Sequence, residues 1–123
     1  MTRVRSWNTC RSTPVWTYCF VWLHVWQCEP GNGMGLLKAD LCRGTSVGWS
    51  ERSRFPVEPI FVGRPGARLE DDGLVLGPVF DSERDVSLLY VWNATDMEVL
   101  AVMESPVQVP FTIHGIWIDN VGF

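Results

Sequence analysis

Only two histidines occur in the chain, His24 and His114. His114 lies in the stretch Val109-Pro110-Phe111-Thr112-Ile113-His114-Gly115, after apolar residues and directly before a glycine. An imidazole there is either a satisfied core or surface group or a metal ligand. The position taken alone favours the first reading. Cys10, Cys19, Cys28 and Cys42 are spaced by nine, nine and fourteen residues without a C-x-x-C pair. A structural zinc site is therefore not expected. An even cysteine count in a short chain fits two disulfides in a secreted protein, but no cysteine follows residue 42, and free, partly buried thiols are the preferred reading. Glu58, before Pro59, reads by itself as a surface glutamate. Arg64 and Arg68 read as a solvated loop, and Asp71-Asp72-Gly73 as a turn that needs no catalytic role.

Turn residues and alternation define the elements that would position these groups. Leu36–Leu41 is expected to be a strand, Cys42-Arg43-Gly44-Thr45 its turn and Ser46–Glu51 its return, with Gly44 tolerating positive φ. Ile60–Val62 is β-rich, Leu74–Phe80 follows the Asp-Asp-Gly turn, and Val86–Trp92 returns through Asn93-Ala94-Thr95-Asp96 to Glu98–Met103. Phe111–Ile118 is the last expected strand. No segment carries apolar residues at a helical period over three turns. The reading is an all-β, antiparallel chain. The hairpin near Leu37 has a faint echo near Leu89, about fifty residues on, the sort of repeat seen in propeller blades.

The chain has 123 residues, 46% hydrophobic and 20% charged, which is globular composition and one domain at most. A net charge of −4 leaves no electrostatic footprint for nucleic acid. Four of the seven tryptophans, Trp7, Trp16, Trp22 and Trp26, fall in the first 26 residues, so the two ends differ in kind. The apolar run Pro14–Cys28 follows Arg3, Arg5 and Arg11 as a leader would, but it carries Thr17, Tyr18, His24 and Gln27, and no small-x-small cleavage site follows. It is also too short and too polar for a membrane span. A buried strand or a poorly matched leader is the reading retained.

Two longer stretches are more distinctive. Phe55-Pro56-Val57-Glu58-Pro59-Ile60-Phe61-Val62-Gly63-Arg64-Pro65-Gly66-Ala67 precedes Glu70-Asp71-Asp72-Gly73, and Leu88–Ala101 then leads to the terminal His114-Gly115. In this order they resemble the C-terminal end of the carotenoid cleavage oxygenases, with the animal β-carotene-cleaving enzymes the most similar in the terminal motif. Gly35-Leu36-Leu37-Lys38-Ala39-Asp40-Leu41 is similar to a G-L-x-K-x-D-L strand of that family. The resemblance covers roughly residues 33 to 118. It implies the last one to two blades of a seven-bladed β-propeller over residues 33–123, preceded by an atypical segment, 1–32. It implies that His114 is one of four imidazoles holding a non-haem Fe2+, since imidazole suits ferrous iron and four nitrogens leave positions for dioxygen. Glu58 matches the glutamate that accepts a ligand imidazole's second N–H. His24 matches no ligand motif and stays unassigned.

By resemblance the substrates are a carotenoid or apocarotenoid and O2, the reaction is oxidative cleavage of a polyene double bond, and the compartment expected is cytoplasmic. Membrane-surface association is left open for the complete enzyme. The sequence departs from the family in carrying one of its four iron histidines, so tight iron binding by this chain alone is not expected. Three accounts remain: a C-terminal piece of a dioxygenase, inactive by itself; a non-catalytic β-sheet interaction module derived from the family; or a small β protein of accidental similarity. Residues 1 to 30 are expected to attach loosely, with Trp16, Trp22 and Trp26 unpacked from the sheets.

Overall fold

The computed structural model describes residues 18–26, 33–111 and 114–118, and every regular element among them is a β-strand. The first sheet contains β1 (Phe20–Trp26), β2 (Met34–Asp40) and β3 (Thr45–Trp49), antiparallel in that order. The second contains β4 (Arg54–Pro56), β5 (Ile60–Gly63), β6 (Gly73–Asp81), β7 (Val86–Asn93) and β8 (Val99–Glu104). β4 and β5 pair with opposite ends of β6, at Val79–Asp81 and Gly73–Leu76. Together they form one broken strand, and the sheet is a meander continued by β7 and β8.

Both expected hairpins are present. β2 and β3 turn through Leu41–Gly44, where Gly44 adopts φ 72°. β7 and β8 turn at Ala94–Asp96, with Met97 buried at positive φ and a register shift at Val91/Trp92. In β6 the residues Gly73, Val75, Gly77, Val79 and Asp81 are buried while their neighbours are more open, the two-residue period of a half-buried strand. Gly73 permits the close approach of β5: a Cβ there would collide with the Val62 carbonyl oxygen, a backbone atom with no room to yield.

The two sheets share one core. Trp22, Leu36 and Trp49 from the first meet Val75, Val79, Leu88, Tyr90 and Trp92 from the second. Trp92 is fully buried, with its ring centroid 5.0 Å from that of Trp49 and 5.3 Å from that of Tyr90. Lys38, buried on β2, reaches across to Asp71 at 2.5 Å and to the Thr95 carbonyl at 2.7 Å. Its ammonium also lies 4.2 Å from the centre of the Phe20 ring.

Three expectations require correction. Trp22 does not stand apart from the sheets: it is 5% exposed and stacks on Phe61 with centroids 4.7 Å apart, because β1 pairs with β2 along seven residues and turns this face inward. Trp26 is 75% exposed, and Trp16 lies outside the described residues. The thiols of Cys19 and Cys42 are not free but joined in a disulfide with Cα atoms 5.1 Å apart, brought together by the same pairing; Cys10 and Cys28 lie outside the described residues. Phe111 and residues 114–118 are not strand. Pro106 and Pro110 interrupt the donors a ladder needs, and the segment is tied instead by Val109 N–H donating to Ser87 Oγ at 2.8 Å.

Candidate functional site

The break between β4 and β5 creates the position of Glu58. Pro56 and Pro59 flank it and supply no N–H, so the ladder cannot run through. Val57 N–H still donates to the Pro78 carbonyl at 3.1 Å, which fixes the kink. Freed from the ladder, the Glu58 carboxylate points to the C-terminal segment. Its Oε2 lies 3.2 Å from His114 Nδ1 and accepts a hydrogen bond from Gly115 N–H at 3.0 Å.

The structure thus brings together two residues 56 positions apart. One carboxylate oxygen holds both the imidazole and the backbone behind it. With Nδ1 facing Glu58, Nε2 is the ring nitrogen left to act as a ligand, and a proton shared with the carboxylate would fix that tautomer. The His114 side chain is 82% exposed and that of Glu58 42%. Gly115 is seated against Ile60, whose Cδ1 a Cβ would approach to 2.9 Å. The sequence placed Ile60 only in a β-rich run, and its packing against Gly115 is seen in the structure.

Arg64 remains a loop residue, paired with Asp72 at 2.8 Å with its side chain 69% exposed. Asp71 has a role the sequence did not disclose, as partner of buried Lys38. His24, on β1, shares a shallow depression with Trp22, Val57, Glu58 and Phe111. Its Nε2 is buried with no hydrogen-bond partner. Burial pushes the imidazole below its ordinary value of 6.5.

A pH dependence follows. Above about 6.5 His24 is neutral in folded and unfolded chains and contributes nothing. As pH falls below that value the unfolded chain takes up the proton first, so stability should drop until the folded imidazole also titrates, and then level off. Urea midpoints measured between pH 7.5 and 5 should fall more steeply for the parent chain than for His24→Leu. Parallel slopes would show that His24 does not carry the effect.

No group of three or more His, Cys, Asp or Glu able to hold a metal occurs among the described residues.

The chain is similar to known proteins over most of its described length. The family model described as Retinal pigment epithelial membrane protein matches residues 12–119. Rat β,β-carotene 15,15'-dioxygenase is 34% identical over 89 residues, covering 72% of this chain and 16% of that protein. The rice chloroplastic carotenoid cleavage dioxygenase 8 homolog A is 39% identical over 83 residues, covering 68% and 15%. Among solved structures, a mutant of the Synechocystis apocarotenoid oxygenase matches with a TM-score of 0.69 at 29% identity, covering 80% of this chain and 22% of that one. The chain thus spans about one sixth of the length of these curated relatives.

Proposed function

Because the chain belongs to the carotenoid oxygenase family, we propose that it forms the C-terminal end of a non-haem Fe(II) carotenoid cleavage dioxygenase and is inactive by itself. The observation that carries this reading is the 3.2 Å contact of His114 Nδ1 with Glu58. The donor chemistry fits: imidazole is a suitable ligand for ferrous iron, and a carboxylate on its second nitrogen is the usual means of orienting it. Iron bound there would supply the activation of O2 for cleavage of a polyene double bond into two carbonyl products. This chain's own contribution is to aim Nε2, hold the neighbouring backbone through Gly115 N–H, and keep the ring in one tautomer.

In this reading β4 to β8 make a whole blade of a seven-bladed propeller, and β1 to β3 make most of the blade before it. The three further imidazoles would come from segments beyond this chain. An apolar depression of about 310 Å3, walled by Val57, Pro78, Phe80, Val109 and Phe111, adjoins the Glu58 kink. Its lining suits a carotenoid or apocarotenoid better than a polar substrate.

The test has two arms. Purified chain with Fe(II) and O2 should bleach β-carotene no faster than a blank, since one imidazole cannot hold iron tightly against water. Residues 33–118 grafted in place of the matching end of an active carotenoid oxygenase should preserve cleavage. Enzymatic bleaching by the chain alone, or a folded graft that no longer retains iron, would count against the proposal.

A further inference from the structure

The Cys19–Cys42 disulfide takes no part in the His114–Glu58 contact. It joins the residue before β1 to the turn between β2 and β3. Cys42 is exposed in that turn, and Cys19 is half-buried. The backbone at both ends is held independently of the sulfurs. Leu41 N–H donates to the Cys19 carbonyl at 2.7 Å. The Glu70 carboxylate accepts from Cys19 N–H at 3.2 Å and from Phe20 N–H at 3.1 Å. On the other side, Asp40 Oδ1 accepts from Cys42 N–H at 3.0 Å and from Arg43 N–H at 2.9 Å. None of these hydrogen bonds passes through the sulfurs, so the backbone on each side of the bridge has its own support. The two thiols would stay opposed and able to reclose.

Access and charge point to the exchange partner. The cysteines, with Arg43 and Arg68, form part of the wall of an open depression of about 670 Å3. The Arg43 side chain is 80% exposed. The acidic groups in that wall are already engaged: Asp40 caps the turn, Glu70 holds the start of β1, and Asp71 pairs with Lys38. Arg43 is itself paired with Asp40 at 3.5 Å but stays exposed, so it and Arg68 are the cationic groups that an incoming ligand would meet, and they favour one bearing carboxylates.

We propose that Cys19–Cys42 is a thiol-exchange site for small carboxylate-bearing thiols of the glutathione class, and that its oxidised state clamps the start of β1. The incoming thiolate attacks Cys42 Sγ, which belongs to the more exposed residue of the two; the S–S bond breaks and Cys19 leaves as a thiolate that takes a proton. A second small thiolate then attacks the sulfur of the bound one, releasing Cys42. The net change is protein disulfide plus two thiols to protein dithiol plus one small-molecule disulfide. In the dithiol state the covalent tie at the start of β1 is gone, and Cys19 and Phe20 are held by Glu70, the Leu41 N–H and the ladder, next to Trp22 and its stack on Phe61.

The 123-residue chain would be equilibrated with glutathione and its disulfide at a series of poises, quenched by alkylation and mapped by peptide mass. A reversible transition of the Cys19/Cys42 pair in folded protein is expected, with a mixed disulfide trapped on Cys42. Amide exchange at residues 19–22 should be about tenfold faster in the dithiol state, with β6 and β7 unchanged. Arg43→Glu combined with Arg68→Glu should slow reduction by glutathione by about tenfold while leaving reduction by uncharged dithiothreitol unaltered. Three results would overturn the proposal: both cysteines alkylated at every poise, reduction only upon global unfolding, or a glutathione rate indifferent to the two charge reversals.

Discussion

Replacing His114 with alanine, in a carotenoid oxygenase that ends in residues 33–118 of this chain, should abolish iron retention. If His114 is one of four nitrogen ligands, as proposed, the loss is large because its removal exposes the metal to water and to exchange, whereas a change beyond the ligands only tunes their aim. Glu58→Gln is the informative companion. The amide keeps the size and an oxygen acceptor but loses the carboxylate charge that orients the ring N–H, so metal affinity should fall by about 10- to 100-fold without vanishing. Gly115 N–H, held by the same Oε2 at 3.0 Å, should keep an acceptor if the amide oxygen takes that place. Metal content by mass spectrometry after dialysis against a chelator separates the cases. Full iron occupancy in both variants would remove His114 and Glu58 from the centre.

The second large effect is on stability. Trp92→Ala should cost about 3–5 kcal/mol, as truncation of a buried tryptophan generally does. That is a large share of the roughly 5–15 kcal/mol that holds an ordinary domain together. The site explains the size of the effect: Trp92 is fully buried, packs on Trp49 and Tyr90, and closes over Gly77, where a Cβ would sit 3.4 Å from the indole ring. Its contacts come from both sheets, so the void cannot be filled by a shift of one strand. Trp92→Phe should cost much less. It keeps a ring in place and removes an indole N–H that is buried without a partner. Urea unfolding followed by circular dichroism gives both values; equal losses would mean that ring packing is not what the tryptophan supplies.

The parts of the fold that were legible in the sequence are those written in local chemistry. Gly44, Asp71-Asp72-Gly73 and Asn93–Asp96 announce turns, and the strands between them alternate in the two-residue period, so β2 with β3 and β7 with β8 could be placed in advance. β1 could not. Its FVWLHVW sequence is apolar on both faces and reads equally as a leader; what makes it a strand is the ladder with β2 and the Phe61 ring, neither of which is local. The disulfide was hidden for the same reason, since without β1 there is no register to set Cys19 beside the β2–β3 turn. β4 is three residues long and ends in proline, too brief for any periodic signal. Composition left His114 and Glu58 as bland residues. Only the order of their motifs joined them, and the strand break that aims the carboxylate became visible in the structure.

Lys38 and Asp71 carry a consequence for how this sequence can vary. The pair is buried from both sides, with side chains 6% and 14% exposed. Losing either partner strands an unpaired charge inside the protein, whereas replacing both with apolar residues of similar volume is often tolerated. Single substitutions at these two positions should therefore be far more damaging than the double one. Their effects would not add. Positions 38 and 71 should therefore vary together: the pair can be kept or exchanged whole, but each intermediate step passes through a weakened protein. Drift at either site is held in check by the other, across 33 residues of chain.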